Sequence, residues 1–249
     1  MRQPPATDVP AGQSRRRWML ALWLYLALLH GVGAGLLIKS NALLLLGKTL
    51  GWLPPEEWSE GYYQAVLAQA ALGRTAPSGA TVLIGDSIIV QLDAARIGPD
   101  VLNYGLSGDT TRTLRARIPT LGVLTAPHRV VIGIGVNDLK YREPAAIAPD
   151  AAAVLAALPH GVALILLSPL PVDEAGTAAG ARSFLRNARI RALADTMRGV
   201  CAAWPECRFL DVWPAFTAPL QPPLYGPDGW HLSAAGNAVL ADLIAASLR

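Results

Sequence analysis

The chain has 249 residues, enough for one domain of ordinary size and an appendage, with a formal net charge of +3. Residues 1–74 carry seven Lys/Arg against four acids, whereas the 14 basic and 14 acidic residues of 75–249 cancel. Because the excess positive charge is confined to the N-terminal region, the remainder lacks the basic surface that tracks a phosphate backbone. This distribution excludes nucleic acid as a partner.

The N-terminal region is typical of a membrane anchor. Residues 1–14 have little to bury and are predicted to be a disordered cytoplasmic tail. Arg15–Arg17 then precede Trp18–Ile38, which carries no formal charge and is long enough to span the hydrocarbon core as a helix. We expect 15–38 to be a single-pass signal-anchor of a bacterial inner membrane, with the rest of the chain periplasmic or extracytoplasmic. A cleaved signal peptide, and thus a secreted protein, is the alternative.

Residues 39–79 are predicted to form an apolar and helical juxtamembrane linker. The stretch 40–55 is apolar but too short to cross the membrane a second time, which favours an interfacial position. A helix is predicted over 56–72, because Pro55 and two glutamates suit a helix start. Its apolar stripe consists of Tyr62, Val66, Leu67 and Ala70.

From residue 80 onward, apolar strand patterns alternate with helical ones. The predicted strands are Thr81–Ile84, Val101–Tyr104, Arg129–Ile134, Val162–Leu167 and Arg208–Val212. The predicted helices are Thr111–Leu124, Pro144–Ala157, Ala181–Val200 and Ser233–Leu248. Continuous apolar strands separated by helices indicate a parallel sheet covered on both faces. We therefore predict an α/β domain over 80–249, a flavodoxin-like, doubly wound α/β/α fold with a five-stranded parallel sheet.

Cys201 and Cys207 are the two cysteines of the chain and lie between a predicted helix and a predicted strand. In an oxidising compartment they could form a disulfide with a small loop. Two separate core thiols are the alternative interpretation.

A serine and a histidine are the candidates for nucleophilic chemistry. Ser87 follows the first strand in Gly85-Asp86-Ser87-Ile88, at the edge where open α/β sheets bind ligands. It could also merely cap the next helix. Of the four histidines, His231 alone is neither in the predicted anchor nor at the entry end of a strand. Asp228 precedes it by three residues, a spacing that allows the carboxylate to orient the imidazole.

Two further turns at strand ends could donate hydrogen bonds to a developing oxyanion. Gly105 lies in the first of them, in Asn103-Tyr104-Gly105-Leu106-Ser107-Gly108-Asp109. Asn137 lies in the second, in Gly135-Val136-Asn137-Asp138. The sequence has no His/Cys set at the spacing of metal ligands, so no metal site is predicted.

These four blocks, in this order, resemble a GDSL-type esterase of the SGNH hydrolase superfamily. The likeness covers about residues 80–249 and is strongest to the branch with platelet-activating-factor acetylhydrolase-like and carbohydrate esterases. Ile88 stands where the namesake motif has Leu. The resemblance implies a serine esterase without a cofactor, in which Ser87 is the nucleophile, His231 the general base and Asp228 the orienting carboxylate.

The same resemblance implies roles for the neighbouring residues. The Ser87 and Gly105 amides and the Asn137 side chain would form the oxyanion hole, and Asp86 and Asp138 would support their turns. Tyr104, Leu106 and Trp230 are candidates for the substrate-binding wall. The expected substrate is a small acyl ester, an acetylated glycan or a lysolipid. Transfer or removal of acyl groups on cell-surface polysaccharide is the second hypothesis, and a non-catalytic binding module on this fold is the third.

Overall fold

The computed structural model of the protein describes residues 18–31, 60–73, 79–176, 182–217 and 223–249. Contacts within the chain define two compact units, Met1–Pro55 and Glu56–Arg249. In the first unit the described part is one helix, α1, over residues 18–31. None of the described helices combines the length and the apolar character needed to span a membrane. The predicted tail, the rest of the predicted anchor 15–38 and the stretch 40–55 lie outside the described residues.

The second unit alternates strands and helices along the chain. Its strands are β1 (Thr81–Gly85), β2 (Val101–Gly105), β3 (Arg129–Gly133), β4 (Ala163–Leu167) and β5 (Cys207–Leu210). Its described α-helices are α2 (Glu60–Gly73), α3 (Ser87–Val90), α4 (Ala94–Ile97), α5 (Thr111–Arg117), α6 (Ala148–Ala156), α7 (Asn187–Ala202), α8 (Trp213–Thr217) and α9 (Ala234–Leu248). Short 3-10 turns cover Ile118–Thr120, Gly122–Thr125, Val136–Lys140 and Pro144–Ile147.

The five strands form one parallel sheet in the order β2-β1-β3-β4-β5, which confirms the predicted sheet with flanking helices. The register pairs Gly85 at the end of β1 with Gly105 of β2 on one side and Gly133 of β3 on the other. Because these three strands end at the same level, the turns that follow them meet at one edge of the sheet.

The sheet is buried on both faces. Val82 and Ile84 pack into one apolar cluster, whereas Leu83 between them packs into a second cluster on the opposite face. Alternate side chains of a strand point to opposite faces, so a continuous apolar run is what a strand with two covered faces needs. The two clusters are the two halves of the core.

Three predicted helices are shorter than expected. α5 ends at Arg117, because Pro119 has no amide hydrogen to continue the helical ladder. The segment that starts at Pro144 first forms a 3-10 turn, and α6 begins at Ala148. α7 begins at Asn187 and not at Ala181; the Asn187 side chain accepts from Val172 N–H and donates to Val172 O. Local propensity does not reveal such tertiary contacts.

Helix α2 is part of the second unit, although the sequence analysis assigned it to a linker and started the domain at residue 80. Tyr62 and Val66 are buried and pack against Leu106 in the turn after β2. Leu67, which the predicted stripe included, is 48% exposed. The buried apolar face of α2 therefore contains fewer residues than the predicted stripe. Hydrogen bonds from Tyr62 and Gln69 add to the contact between α2 and the rest of the unit.

Cys201 and Cys207 are joined by a disulfide with an S–S distance of 2.06 Å. Cys201 lies in the last turn of α7 and Cys207 is the first residue of β5. The bridge therefore closes the short connection between this helix and the edge strand.

Candidate active site

Ser87 is the first residue of α3 and follows Asp86, which forms the turn between β1 and α3. The Asp86 carboxylate caps α3 by accepting from the Ile88 N–H at 3.0 Å, and the Asp86 N–H donates to Gly133 O at 3.1 Å. The turn is thus tied both to its own helix and to the end of the neighbouring strand β3. Ser87 itself is half-buried at the carboxyl edge of the sheet.

His231 lies in a loop that closes on itself before α9 begins. The Gly226 N–H donates to His231 O at 2.9 Å, and the Ser233 N–H donates to Leu224 O at 2.9 Å. Ser233 is also the N-cap of α9, since its hydroxyl accepts from the Gly236 N–H at 3.1 Å. This fixed loop carries both Asp228 and His231 to the sheet edge.

Ser87, His231 and Asp228 form a continuous chain of contacts. Ser87 Oγ and His231 Nε2 are 3.0 Å apart, and His231 Nδ1 and Asp228 Oδ2 are 2.6 Å apart. The second oxygen of Asp228 accepts from the backbone N–H groups of Trp230 and His231 at 3.0 and 2.9 Å. These are the distances that a hydroxyl, a base and an orienting carboxylate require.

The contacts of Asp228 determine its charge. Burial favours its neutral form, but the hydrogen bonds from the His231 ring and from the Trp230 and His231 amides outweigh burial and lower the pKa of this carboxyl. Asp228 is therefore ionised at neutral pH and accepts from His231 Nδ1, which leaves Nε2 to face Ser87.

Asn137 lies in the 3-10 turn after β3, and its side-chain Nδ2 donates to Asp109 O at 3.0 Å. One hydrogen of this amide is thereby used, and the other is available to a ligand. The neighbouring Asp138 is buried and accepts from the N–H and the hydroxyl of Thr111 at 2.9 and 2.7 Å, and also from Arg142. Asp138 thus ties the Asn137 turn to the start of α5.

Gly105 does not offer the free N–H that we expected of it. Its N–H donates to the Asn103 Oδ1 at 2.9 Å, while the Asn103 amide donates to Ile89 O at 2.6 Å. A Cβ on Gly105 would lie 2.6 Å from Val90 N. The glycine is therefore explained by close packing of β2 against α3 and not by donation to a substrate.

Gly108 is a better candidate for this donor, and the sequence analysis missed it. It is exposed, has φ +85°, and none of the described hydrogen bonds uses its N–H. The next residue is Asp109, whose carbonyl accepts from the Asn137 side-chain amide, so Gly108 is adjacent in the chain to the residue that Asn137 contacts. The sequence did indicate the correct turn for this donor, because Gly105 and Gly108 both lie in it.

The three residues predicted to form the substrate-binding wall have different surroundings. Tyr104 packs in the core, and Leu106 packs against Tyr62 and Val66 of α2. Trp230 stacks on the His231 ring, with centroids 4.9 Å apart, and lines a small, mainly apolar cavity. The other residues that line it are Asp86, Ile88, Ile89, Gly133, Ile134, Val136, Leu167, Ser168, Pro169, Leu170 and Pro171.

The cavity is lined by sequence neighbours of Ser87, Asn137 and His231. Asp86 and Ile88 are the neighbours of Ser87, Val136 precedes Asn137, and Trp230 precedes His231. Its volume of about 20 Å³ is room for about one water molecule. Within the described ranges, no three His, Cys, Asp or Glu side chains are grouped so that they could hold a metal ion.

Asp86 differs in charge state from Asp228. Burial raises the pKa of Asp86 to about 7; the Ile88 N–H opposes this shift, and the carboxyls of Asp109 and Asp138 add to it. A substantial fraction of Asp86 is therefore neutral at neutral pH. Its contacts are those of a residue that braces the Ser87 turn.

Comparison with known proteins agrees with this geometry. The family described as GDSL-like Lipase/Acylhydrolase matches residues 60–239, and no curated protein matches the chain. Similar solved structures include a Streptococcus pneumonia protein whose name refers to platelet activating factor, at 22% identity and TM-score 0.69, covering 84% of this chain and 99% of that one.

Two further similar structures carry names from carbohydrate chemistry. One is the C-terminal catalytic domain of Streptococcus pneumoniae peptidoglycan O-acetyltransferase A, at 23% identity and TM-score 0.53, covering 69% of this chain and 93% of that one. The other is a carbohydrate acetylesterase from Sinorhizobium meliloti, at 18% identity and TM-score 0.52, covering 68% and 98%. At these identities the likeness to solved structures shows the fold alone.

The raised pKa of Asp86 predicts a pH-dependent stability. The folded-state pKa of about 7 exceeds the ordinary value of 3.8, so the folded protein binds the proton more tightly and loses stability as pH rises from about 4 to 7. Asp86→Asn removes this dependence. The unfolding free energy of the variant relative to wild type should rise across that window by no more than about 4 kcal/mol.

Urea denaturation between pH 4.5 and 8 measures this difference. Asp93→Asn is the matched control, because the Asp93 carboxylate caps α4 in the same way, accepting from the Ala95 N–H at 3.0 Å, but is exposed. A constant difference between Asp86→Asn and wild type at all pH values would contradict the assignment.

Proposed function

The chain belongs to the GDSL-like lipase/acylhydrolase family, and on this basis we propose that it is a serine esterase that hydrolyses carboxylic esters through an acyl-enzyme. The observation that carries the proposal is the unbroken hydrogen-bond chain from Ser87 Oγ through the His231 ring to Asp228. No cofactor takes part in this chemistry.

In the first half of the reaction, Ser87 Oγ attacks the ester carbonyl carbon while His231 Nε2 accepts the hydroxyl proton. The resulting tetrahedral intermediate carries a negative charge on the former carbonyl oxygen. When the intermediate collapses, the bond to the leaving alcohol breaks and His231 returns its proton to that alcohol. Asp228, ionised and 2.6 Å from Nδ1, stabilises the imidazolium that forms between these steps.

The oxyanion needs donors that are fixed before the reaction. We assign this role to the Ser87 N–H, the remaining hydrogen of the Asn137 side-chain amide, and the Gly108 N–H in place of the Gly105 N–H. The assignment is supported by the contact of Asn137 with Asp109 O and by the use of the Gly105 amide within the protein.

In the second half, water attacks the acyl-enzyme while His231 accepts its proton. His231 then returns the proton to Ser87 Oγ as the Ser87–acyl bond breaks and the acid leaves. We propose a small acyl group such as acetyl, because the space next to Trp230 is only about the size of one water molecule. A sugar hydroxyl could replace water as the acceptor, which would make the protein an O-acyltransferase of cell-surface polysaccharide. A deacetylase of such glycans would use water.

We further propose that residues 15–38 anchor the protein to the inner membrane with the esterase on the extracytoplasmic side. Arg15–Arg17, the uncharged stretch Trp18–Ile38 and the exposed apolar side chains of α1 support this location. The Cys201–Cys207 disulfide is also consistent with an oxidising compartment. Cleavage of this segment and secretion is the alternative.

Ser87→Ala should lower the turnover of p-nitrophenyl acetate by about 10⁴-fold or more, because it removes the nucleophile. Asp228→Asn should lower it by about 10⁴-fold, because His231 is no longer held in the tautomer that accepts the Ser87 proton. Steady-state rates and thermal melts of wild type and variants measure this. Asp242→Asn is the control, since Asp242 is exposed on α9 and pairs with Arg96. Activity that survives in Ser87→Ala, or failure of a fluorophosphonate to label Ser87, would favour a binding module.

Product analysis distinguishes the two acceptors. With p-nitrophenyl acetate as donor and a chito-oligosaccharide present, we expect acetic acid as the main product, because water reaches a half-buried serine. Mass spectrometry of the sugar fraction detects transfer. An acetylated sugar formed faster than acetic acid would establish the acyltransferase instead.

Fractionation tests the anchor. We expect the full-length chain to stay in the membrane fraction after a high-salt wash and to be released by detergent, and a protease added to spheroplasts to digest the catalytic domain. Replacing Leu22 and Leu29 with Lys should abolish retention, because each charge is costly in the hydrocarbon core. A wild-type chain found in the culture medium, shortened at its N-terminus, would show cleavage.

A further inference from the structure

Helix α2 contacts the turn after β2 through two polar side chains. The Tyr62 hydroxyl donates to Asp109 Oδ1 at 2.5 Å, and the Gln69 amide donates to Gly105 O at 2.6 Å. Both acceptors belong to residues 105–109, which we call the 105–109 turn. The two contacts therefore hold the turn at its first and last residues.

Arg117 closes the same network from the opposite side. Its guanidinium donates to Asp109 Oδ2 at 2.8 and 2.6 Å and to Gln69 Oε1 at 3.0 Å. It also donates to Tyr104 O at 3.0 Å. Gln69 consequently bridges Arg117 and Gly105, so the polar contacts of α2 and α5 form one unit around the turn.

Apolar packing fills the space between these hydrogen bonds. Leu106, the second residue of the turn, packs with Tyr62 and Val66. Helix α2 therefore contacts the turn at three of its five residues, Gly105, Leu106 and Asp109.

The 105–109 turn bears two groups of the proposed oxyanion site. One is the Gly108 N–H, and the other is the Asp109 carbonyl that orients the Asn137 amide at 3.0 Å. A shift of this turn therefore displaces the Gly108 N–H and also the acceptor that orients the Asn137 amide. Oxyanion stabilisation depends on donors already in place, and displacement by about 1 Å can cost 10²-fold in rate.

We infer that Tyr62 and Gln69 are positioning residues for the oxyanion site, so that α2, which precedes the sheet in the chain, is needed for catalysis as well as for folding. This inference rests on the proposed function. Neither side chain touches the substrate; each acts through the 105–109 turn. Their effect should appear in the transition state and not in substrate binding.

The test uses Tyr62→Phe and Gln69→Met in the full-length protein. Tyr62→Phe keeps the ring that packs on Leu106 and removes the hydroxyl, and Gln69→Met keeps the length and removes both hydrogen-bonding groups. We expect kcat for p-nitrophenyl acetate to fall about 10- to 100-fold in each, less than the 10²–10³-fold cost of losing a donor outright. KM should change less than about threefold.

Inhibition by phenylboronic acid, which forms a tetrahedral adduct on the serine, adds a readout that a merely structural role would not move. Its Ki should rise in proportion to the fall in kcat/KM, since the adduct and the transition state use the same donors. Leu67→Ala, at an exposed position of α2, is the matched control and should leave kcat, Ki and melting temperature unchanged.

Three outcomes would overturn the inference or separate it from the proposed function. If both variants fold and keep kcat within twofold of wild type, or if kcat falls while the boronate Ki does not change, α2 has no positioning role. If Tyr62→Phe fails to fold, Gln69→Met, which retains the Tyr62–Asp109 bond, decides the question. If Ser87→Ala remains active, the esterase proposal itself fails.

Discussion

The ion pair between Asp109 and Arg117 is the interaction on which the site depends. The side chains of both residues have no exposed surface, and the guanidinium lies 2.6 Å from the carboxylate. Two buried charges are tolerated only when they are paired and their remaining hydrogen-bonding groups are satisfied, because removing one partner costs about 3–5 kcal/mol. Burial raises the pKa of Asp109, whereas Arg117 and the donors Tyr62 and Thr113 lower it. The pair therefore requires α2, α5 and the turn after β2 to be in place together.

The rest of the site follows from how a parallel sheet ends. Three neighbouring strands stop at the same level, so residues far apart in the chain meet at one edge without long loops. Their surroundings also give two carboxyls different charge states: burial raises the pKa of Asp86 to about 7, whereas three donors outweigh burial at Asp228, lower its pKa and keep it ionised. The surroundings of each aspartate, and not the residue type, therefore determine that Asp86 supports the Ser87 turn whereas Asp228 orients His231.

Much of this could be predicted from the sequence because the signals are local. Continuous apolar runs between helical patterns predicted all five strands, and the sheet and the family resemblance carried by the four blocks are confirmed. Ser87 and the pair Asp228 and His231 were recognisable for the same reason, since each belongs to a short motif after a strand or before a helix. The structure brings these three side chains into hydrogen-bonding contact.

Features that depend on contacts between distant segments could not be predicted from local sequence patterns. Gly105 and Gly108 stand in one short turn, and no pattern tells which amide is free; the answer comes from Asn103, whose side chain is held by the carbonyls of Ile89 and Leu92. Local patterns thus specify which segments become strands and which motifs carry the chemistry. Folding alone determines the partners of Tyr62 and Gln69, 47 and 36 residues away, because hydrogen bonds between remote segments leave no periodic trace in the chain.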